Sequence, residues 1–236
     1  MIHLKTPWLI DGLWQRGKIN GLSGAEKAGK SRLVGWLIVG MSRGQVLGMQ
    51  TDEPVPKILY LAGEETIPTV NQRITDYAAL QGIPKSQFNI EFIEAAGMRL
   101  DLRTQRVWLE QKLLDDDFQM LLIDPLIRVH GAKEVDNTAM SVILNDLRKW
   151  SNKLGITVVV VHHTAKVDAD TDMTRIANWF RGASDIAAIL DTAQYVQRIG
   201  RQKIRIKRQG RFPPLDDLEI ADLGDLKGFS IANPTG

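Results

Sequence analysis

Five short apolar runs punctuate the chain: KINGLSG at 18–24, KILYLAG at 57–63, FNIEFIEA at 88–95, FQMLLID at 118–124 and GITVVVVHH at 155–163. Each is aliphatic or β-branched and bounded by turn signals, which predicts strands buried on both faces of a parallel sheet. Between them, SRLVGWLIVGMSRG, TIPTVNQRITDYAALQG and NTAMSVILNDLRKWSNKLG repeat apolar residues at helical spacing, and Gly closes them. The alternation predicts βαβ units, hence a doubly wound, mostly parallel α/β sheet. After residue 185 the pattern changes. AQYVQRIG and QKIRIKRQ read as two strands joined by a tight turn at Gly200, and KGFSIAN as a third. They predict a C-terminal antiparallel β extension over about 193–232. With no repeat, low-complexity stretch or linker, residues 1–236 read as one domain.

Composition adds limits. The 236 residues are 44% hydrophobic and 25% charged, ordinary values for a globular fold. The longest apolar run, LVGWLIVGM at 33–41, is too short to span a bilayer, and no basic-then-apolar leader opens the chain. A cytoplasmic protein without a membrane partner is expected. The absence of Cys excludes disulfides and thiolate metal sites, and four His argue against a structural zinc. The net charge of +2 is small, but VQRIGRQKIRIKRQGR at 196–211 holds seven Lys or Arg and no acid.

The most specific motif is SGAEKAGKSR at 23–32. It fits G-x-x-x-x-G-K-[ST] as Gly24, Ala25, Glu26, Lys27, Ala28, Gly29, Lys30 and Ser31, with Arg32 following. Placed between a predicted strand and a predicted helix, such a loop cradles phosphates with backbone N–H groups and the positive helix N-terminus. Lys30 would reach the β and γ phosphates and Ser31 would bind Mg²⁺. Glu26 need not oppose this, since amides face the anion while Glu26 and Lys27 can point outward. Asp124 ends FQMLLID at a strand's C-terminal edge, where a carboxylate can hold Mg²⁺ through water. Taken alone it reads as a helix cap, and the phosphate loop favours the metal. Glu64 and Glu65 end another strand; one could orient the attacking water, or both could be an acidic helix start. His162 and His163 end a third, with Lys166 beyond, and strand alternation lets only one face a given phosphate.

The ordered set GAEKAGKS, LYLAGEE, MLLIDPL, VVVHHTAK, WFRGAS and IRIKRQG resembles the RecA superfamily of ATPases, nearest its RepA-like and DnaB-like hexameric helicases, over about residues 8–212. The resemblance implies a RecA-like core, ATP and Mg²⁺ as cofactors, Lys30 and Ser31 on phosphate and metal, and Asp124 as the second metal residue. It implies Glu64 as catalytic glutamate and His163 as γ-phosphate sensor. An arginine entering a neighbouring subunit's site would be Arg208 or Arg181; the family's Lys two residues before Arg208 is Ile206 here, with Lys207 adjacent. No primase, zinc-binding or helical N-terminal domain is recognisable, so a bare motor core is expected.

In QKIRIKRQ, Arg201, Lys203, Arg205 and Lys207 share one parity and Ile204 and Ile206 the other. The cationic face could be a solvated strand, a subunit interface or a nucleic-acid contact. Loops at 128–137 and 165–179 lie where the resembling family lines its channel, and carry Lys133, Lys166 and Arg175. The expectation is a ring, a hexamer, coupling ATP hydrolysis to movement on single-stranded DNA, with replication proteins as possible partners. The alternative is a RecA-like switch in regulation, recombination or assembly without helicase activity.

Overall fold

The computed structural model describes residues 8–52, 55–133, 136–164, 172–180, 184–210, 215–225 and 227–231. In chain order the elements are β1 (Trp8–Ile10), β2 (Trp14–Gln15), β3 (Ile19–Gly24), α1 (Lys30–Met41), β4 (Gln45–Val46), β5 (Met49–Gln50) and β6 (Ile58–Ala62). Then follow α2 (Ile67–Leu80), β7 (Ile90–Glu94), α3 (Arg103–Asp115), β8 (Met120–Asp124), α4 (Asn137–Leu154) and β9 (Thr157–His163). The last are α5 (Ser184–Ala188), β10 (Thr192–Gly200), β11 (Lys203–Gly210), β12 (Leu218–Asp222) and β13 (Phe229–Ile231). All five strands expected from the apolar runs are present.

One nine-stranded sheet orders them β13-β12-β11-β10-β3-β9-β8-β6-β7. Strands β10 through β7 run parallel, and β11, β12 and β13 continue antiparallel. AQYVQRIG therefore plays a double part: β10 pairs parallel with β3 on one side and antiparallel with β11 on the other. KGFSIAN supplies β13, which is the fourth strand after residue 185, because LEIAD forms an unforeseen β12 between.

The pleat sends alternate side chains to opposite faces. Leu22, Tyr60, Leu122 and Val161 pack with α1 and α2, whereas Ile19, Leu61, Ile123 and Val160 pack with α3, α4 and α5. A one-residue slip would turn every one of them to the wrong layer, and at roughly 1.5–3 kcal/mol per buried aliphatic side chain the register is firmly set. That same register decides which polar residue at each strand end faces α1. Local signals finish the helices: Thr66 caps α2 by accepting from Thr69 N, Asp136 caps α4 by accepting from Ala139 N, and Gly155 closes α4 at φ 71°. Among the described residues no helix is long and apolar enough to cross a membrane.

Candidate functional site

β3 ends at Gly24, and the loop that follows turns back through two left-handed residues, Lys27 (φ 59°) and Gly29 (φ 95°), before α1 begins at Lys30. No side chain caps α1 and no acid stands in its first turn. Its leading amide groups are thus a seat for an anion, reinforced by the helix dipole. Lys30 is buried and folds over its own loop, donating to Gly24 O at 3.0 Å and Ala25 O at 2.8 Å. Burial pushes its ammonium below the ordinary lysine range, while Asp124, Glu64 and Glu26 work to keep it charged. Glu26 and Lys27 are exposed, as the outward reading of the loop expects, though Glu26 stays at the mouth of the cleft. That cleft, of about 500 Å³, is lined by Glu26, Lys30, Ser31, Glu64, Arg73 and His163 among others.

Asp124, buried at the end of β8, accepts from the Tyr60 hydroxyl through Oδ2 at 2.8 Å. Its Oδ1 is buried and makes no well-formed hydrogen bond, although the Ser31 hydroxyl bears on the carboxylate. Desolvation raises the acid's pKa, and the Tyr60 and Ser31 hydroxyls oppose the rise. Among the described residues no group of three His, Asp or Glu could hold a metal alone. A hydroxyl beside one carboxylate oxygen still to be satisfied fits Mg²⁺, which takes few protein ligands and completes its shell with water and phosphate.

The pleat resolves the histidine pair. His162 is fully buried on the α4 side, stacked on Phe180 with ring centroids 6.2 Å apart. His163 turns toward α1, its Nε2 3.8 Å from Glu64 Oε1. Glu65 forms a two-pronged ion pair with Arg73, at 2.6 and 2.5 Å. Of the two glutamates, Glu64 is the one left facing the phosphate loop.

Residues 5–169 match the family model described as AAA domain. The chain belongs to this family of P-loop ATPases. No curated protein matches it. Among solved structures it is similar to the "ATPase Domain of G40P", with a TM-score of 0.67 and 13% identity over 92% of this chain and 86% of that one. The fold is RecA-like, as in that domain, and the family makes the chain a P-loop ATPase.

The arginines of the ATPase that bear on the site differ in their partners. Arg32, next after Ser31, donates to both carboxylate oxygens of Asp222 at 2.8 and 3.2 Å and pairs with Asp225 at 2.6 Å. Arg198 joins the same carboxylate at 2.5 Å, so Asp222 ties α1 to β10 and β12. Arg208 is half-buried in its own chain: Nε donates to Asp216 O at 2.6 Å, and Nη1 lies 3.8 Å from Met49 Sδ. It shares the face of Ile204 and Ile206, not the cationic one. Arg181 and Lys166 lie outside the described residues, as does 165–171 of the second loop. In the first loop Lys133 is exposed while Val129 and His130 are buried. Sequence reading missed Tyr60, Arg73, Arg198, Asp222 and Asp225. Tyr60 sits inside an apolar run, and Asp222 lies 190 residues from Arg32 with no motif to link them.

Proposed function

We propose that this ATPase is a ring-forming motor that hydrolyses ATP while moving on single-stranded DNA. The observation that carries the hydrolytic part is the convergence of Lys30, Ser31, Glu64 and His163 on one cleft at the carboxyl edge of the sheet. The backbone amides of 24–31 hold the phosphates, and Lys30 leaves its loop carbonyls for the β and γ oxygens. Ser31 and Asp124 would hold Mg²⁺, which supplies charge neutralisation and orients the phosphates. Glu64 directs a water at the γ-phosphorus and takes up its proton. His163, beside Glu64, reads the presence of the γ-phosphate.

The need for a second subunit follows from charge. Among the described residues, both arginines lining the cleft are committed to carboxylates of their own chain, Arg32 to Asp222 and Asp225 and Arg73 to Glu65. A neighbour's Arg208 or Arg181 would complete the stabilisation of the transferring phosphoryl group. DNA contact belongs to the loops at 128–137 and 165–179. The basic strand is a weaker candidate, because Glu219 on β12 accepts from both Lys203 and Arg205. That neutralisation is what favours the second reading, a switch that does not translocate.

Steady-state hydrolysis with and without single-stranded DNA, together with light scattering, tests the proposal. Stimulation by DNA and a ring-sized mass are expected; a DNA-indifferent monomer or dimer would leave only the switch. Mixing inactive Lys30→Ala and Arg208→Ala proteins should restore part of the activity. Recovery only with Arg181→Ala would move the trans role there.

A further inference from the structure

Tyr60 is the one polar side chain in the strand ILYLA, and it is 1% exposed. Its ring packs against Phe92 with centroids 5.5 Å apart, a contact that Phe would make equally well. The hydroxyl is therefore not explained by packing, since a buried phenol costs free energy unless it finds a partner. Its partner is Asp124 Oδ2, at 2.8 Å. A ring fixed in the core, one strand over from the carboxylate, clamps Oδ2 and stops the group from turning. The buried Oδ1, which makes no well-formed hydrogen bond of its own, is then the oxygen kept for something else. We propose that Tyr60 is a positioning residue for bound Mg²⁺, holding Asp124 so that Oδ1 meets the ion or its water beside Ser31. This rests on Asp124 serving the metal. Groups that orient a metal's ligands typically govern its affinity by 10–100-fold.

The test is a Mg²⁺ titration of fluorescent-ADP binding to the full chain. Tyr60→Phe is expected to raise the Mg²⁺ concentration at half-saturation about tenfold while leaving ADP affinity in EDTA unchanged. An unchanged half-saturation in a folded Tyr60→Phe protein overturns the inference. Asp124→Asn separates the two readings: if it too leaves the Mg²⁺ dependence intact, the assignment of Asp124 fails first. In the Asp124→Asn background the hydroxyl's effect should vanish, whereas a mere packing role would persist there. Should Tyr60→Phe unfold, 3-fluorotyrosine labelling of the unmutated protein, which has three Tyr, gives a second readout. The Tyr60 fluorine resonance should move when Mg²⁺ is added to the ADP complex, and a stationary signal counts against the proposal.

Discussion

Asp222→Asn is expected to loosen the joint between the phosphate loop and the C-terminal strands. The carboxylate is 4% exposed and accepts from Arg32, Arg198 and Gly224 N. Removing one partner of a buried ion pair costs roughly 3–5 kcal/mol, because the other charge is stranded. Here the stranded groups are the side chains of Arg32 and Arg198, 17% and 35% exposed, which can regain water. Arg32 also keeps Asp225. The discount for this screening brings the expected loss to about 2 kcal/mol. For a domain of this size that lowers the melting temperature by about 4–8 °C.

The acid dependence of the same variant gives a second check. Burial works against the charge of Asp222, but the hydrogen bonds from Arg32, Arg198 and Gly224 outweigh it and hold the carboxyl below its ordinary 3.8. A depressed carboxyl stabilises the fold above its unfolded pKa and loses that contribution as the pH falls through the folded value. The gap between wild-type and Asp222→Asn melts should be full at pH 7 and narrow below about pH 4. Scanning calorimetry reads both. A gap under about 1 °C at pH 7, or one that does not narrow in acid, would mean that the Asp222 carboxylate does not stabilise the joint.

Three further outcomes are expected. Lys30→Ala should weaken nucleotide binding about 10–100-fold, the worth of a lost charge-assisted hydrogen bond, while Glu26→Ala stays within about twofold; fluorescent-nucleotide titration distinguishes them. Glu64→Gln should slow single-turnover phosphate release about 10²–10⁴-fold with binding retained, and a rate within about threefold of wild type would remove Glu64 from the chemistry. Burial holds His130 below the usual 6.5, so the unfolded chain takes up its proton first and stability falls as the pH drops through that value. His130→Gln should flatten the dependence of melting temperature on pH between about 7 and 5; an unaltered slope excludes the residue.

The strands that build the site were legible because a parallel sheet buried on both faces writes itself as continuous apolar runs, and three of those runs lead directly into Glu64, Asp124 and His163. The helix α3 was not, since Val107, Trp108 and Leu114 are exposed and only Arg106, Leu109 and Leu113 are buried, which blurs the apolar stripe. β12 escaped because LEIAD alternates too briefly to be told from a loop. Of the pair His162 and His163, alternation permitted one and the resemblance pointed to His163; the register of β9 against β3 gives the physical reason, since it puts His163 on the α1 face. Partners such as Tyr60 and Asp222 are chosen by packing across the chain, where local pattern carries no information.

The position of Asp222 bears on how the two ends of the ATPase communicate. Arg32 leaves the first turn of α1, directly after the two residues that would hold phosphate and metal, and reaches β12; Arg198 leaves β10 and reaches the same carboxylate. β10 is hydrogen-bonded to β3, the strand that delivers the loop, and to β11, the strand that carries Arg208. The loop and the candidate trans arginine are thus joined twice, once through the backbone ladder and once through a single buried anion. The ladder cannot be cut without unfolding the sheet, but the anion can. If Asp222→Asn slows hydrolysis by more than its melting temperature explains while fluorescent-nucleotide affinity is unchanged, the ionic joint serves the proposed composite site and not stability alone.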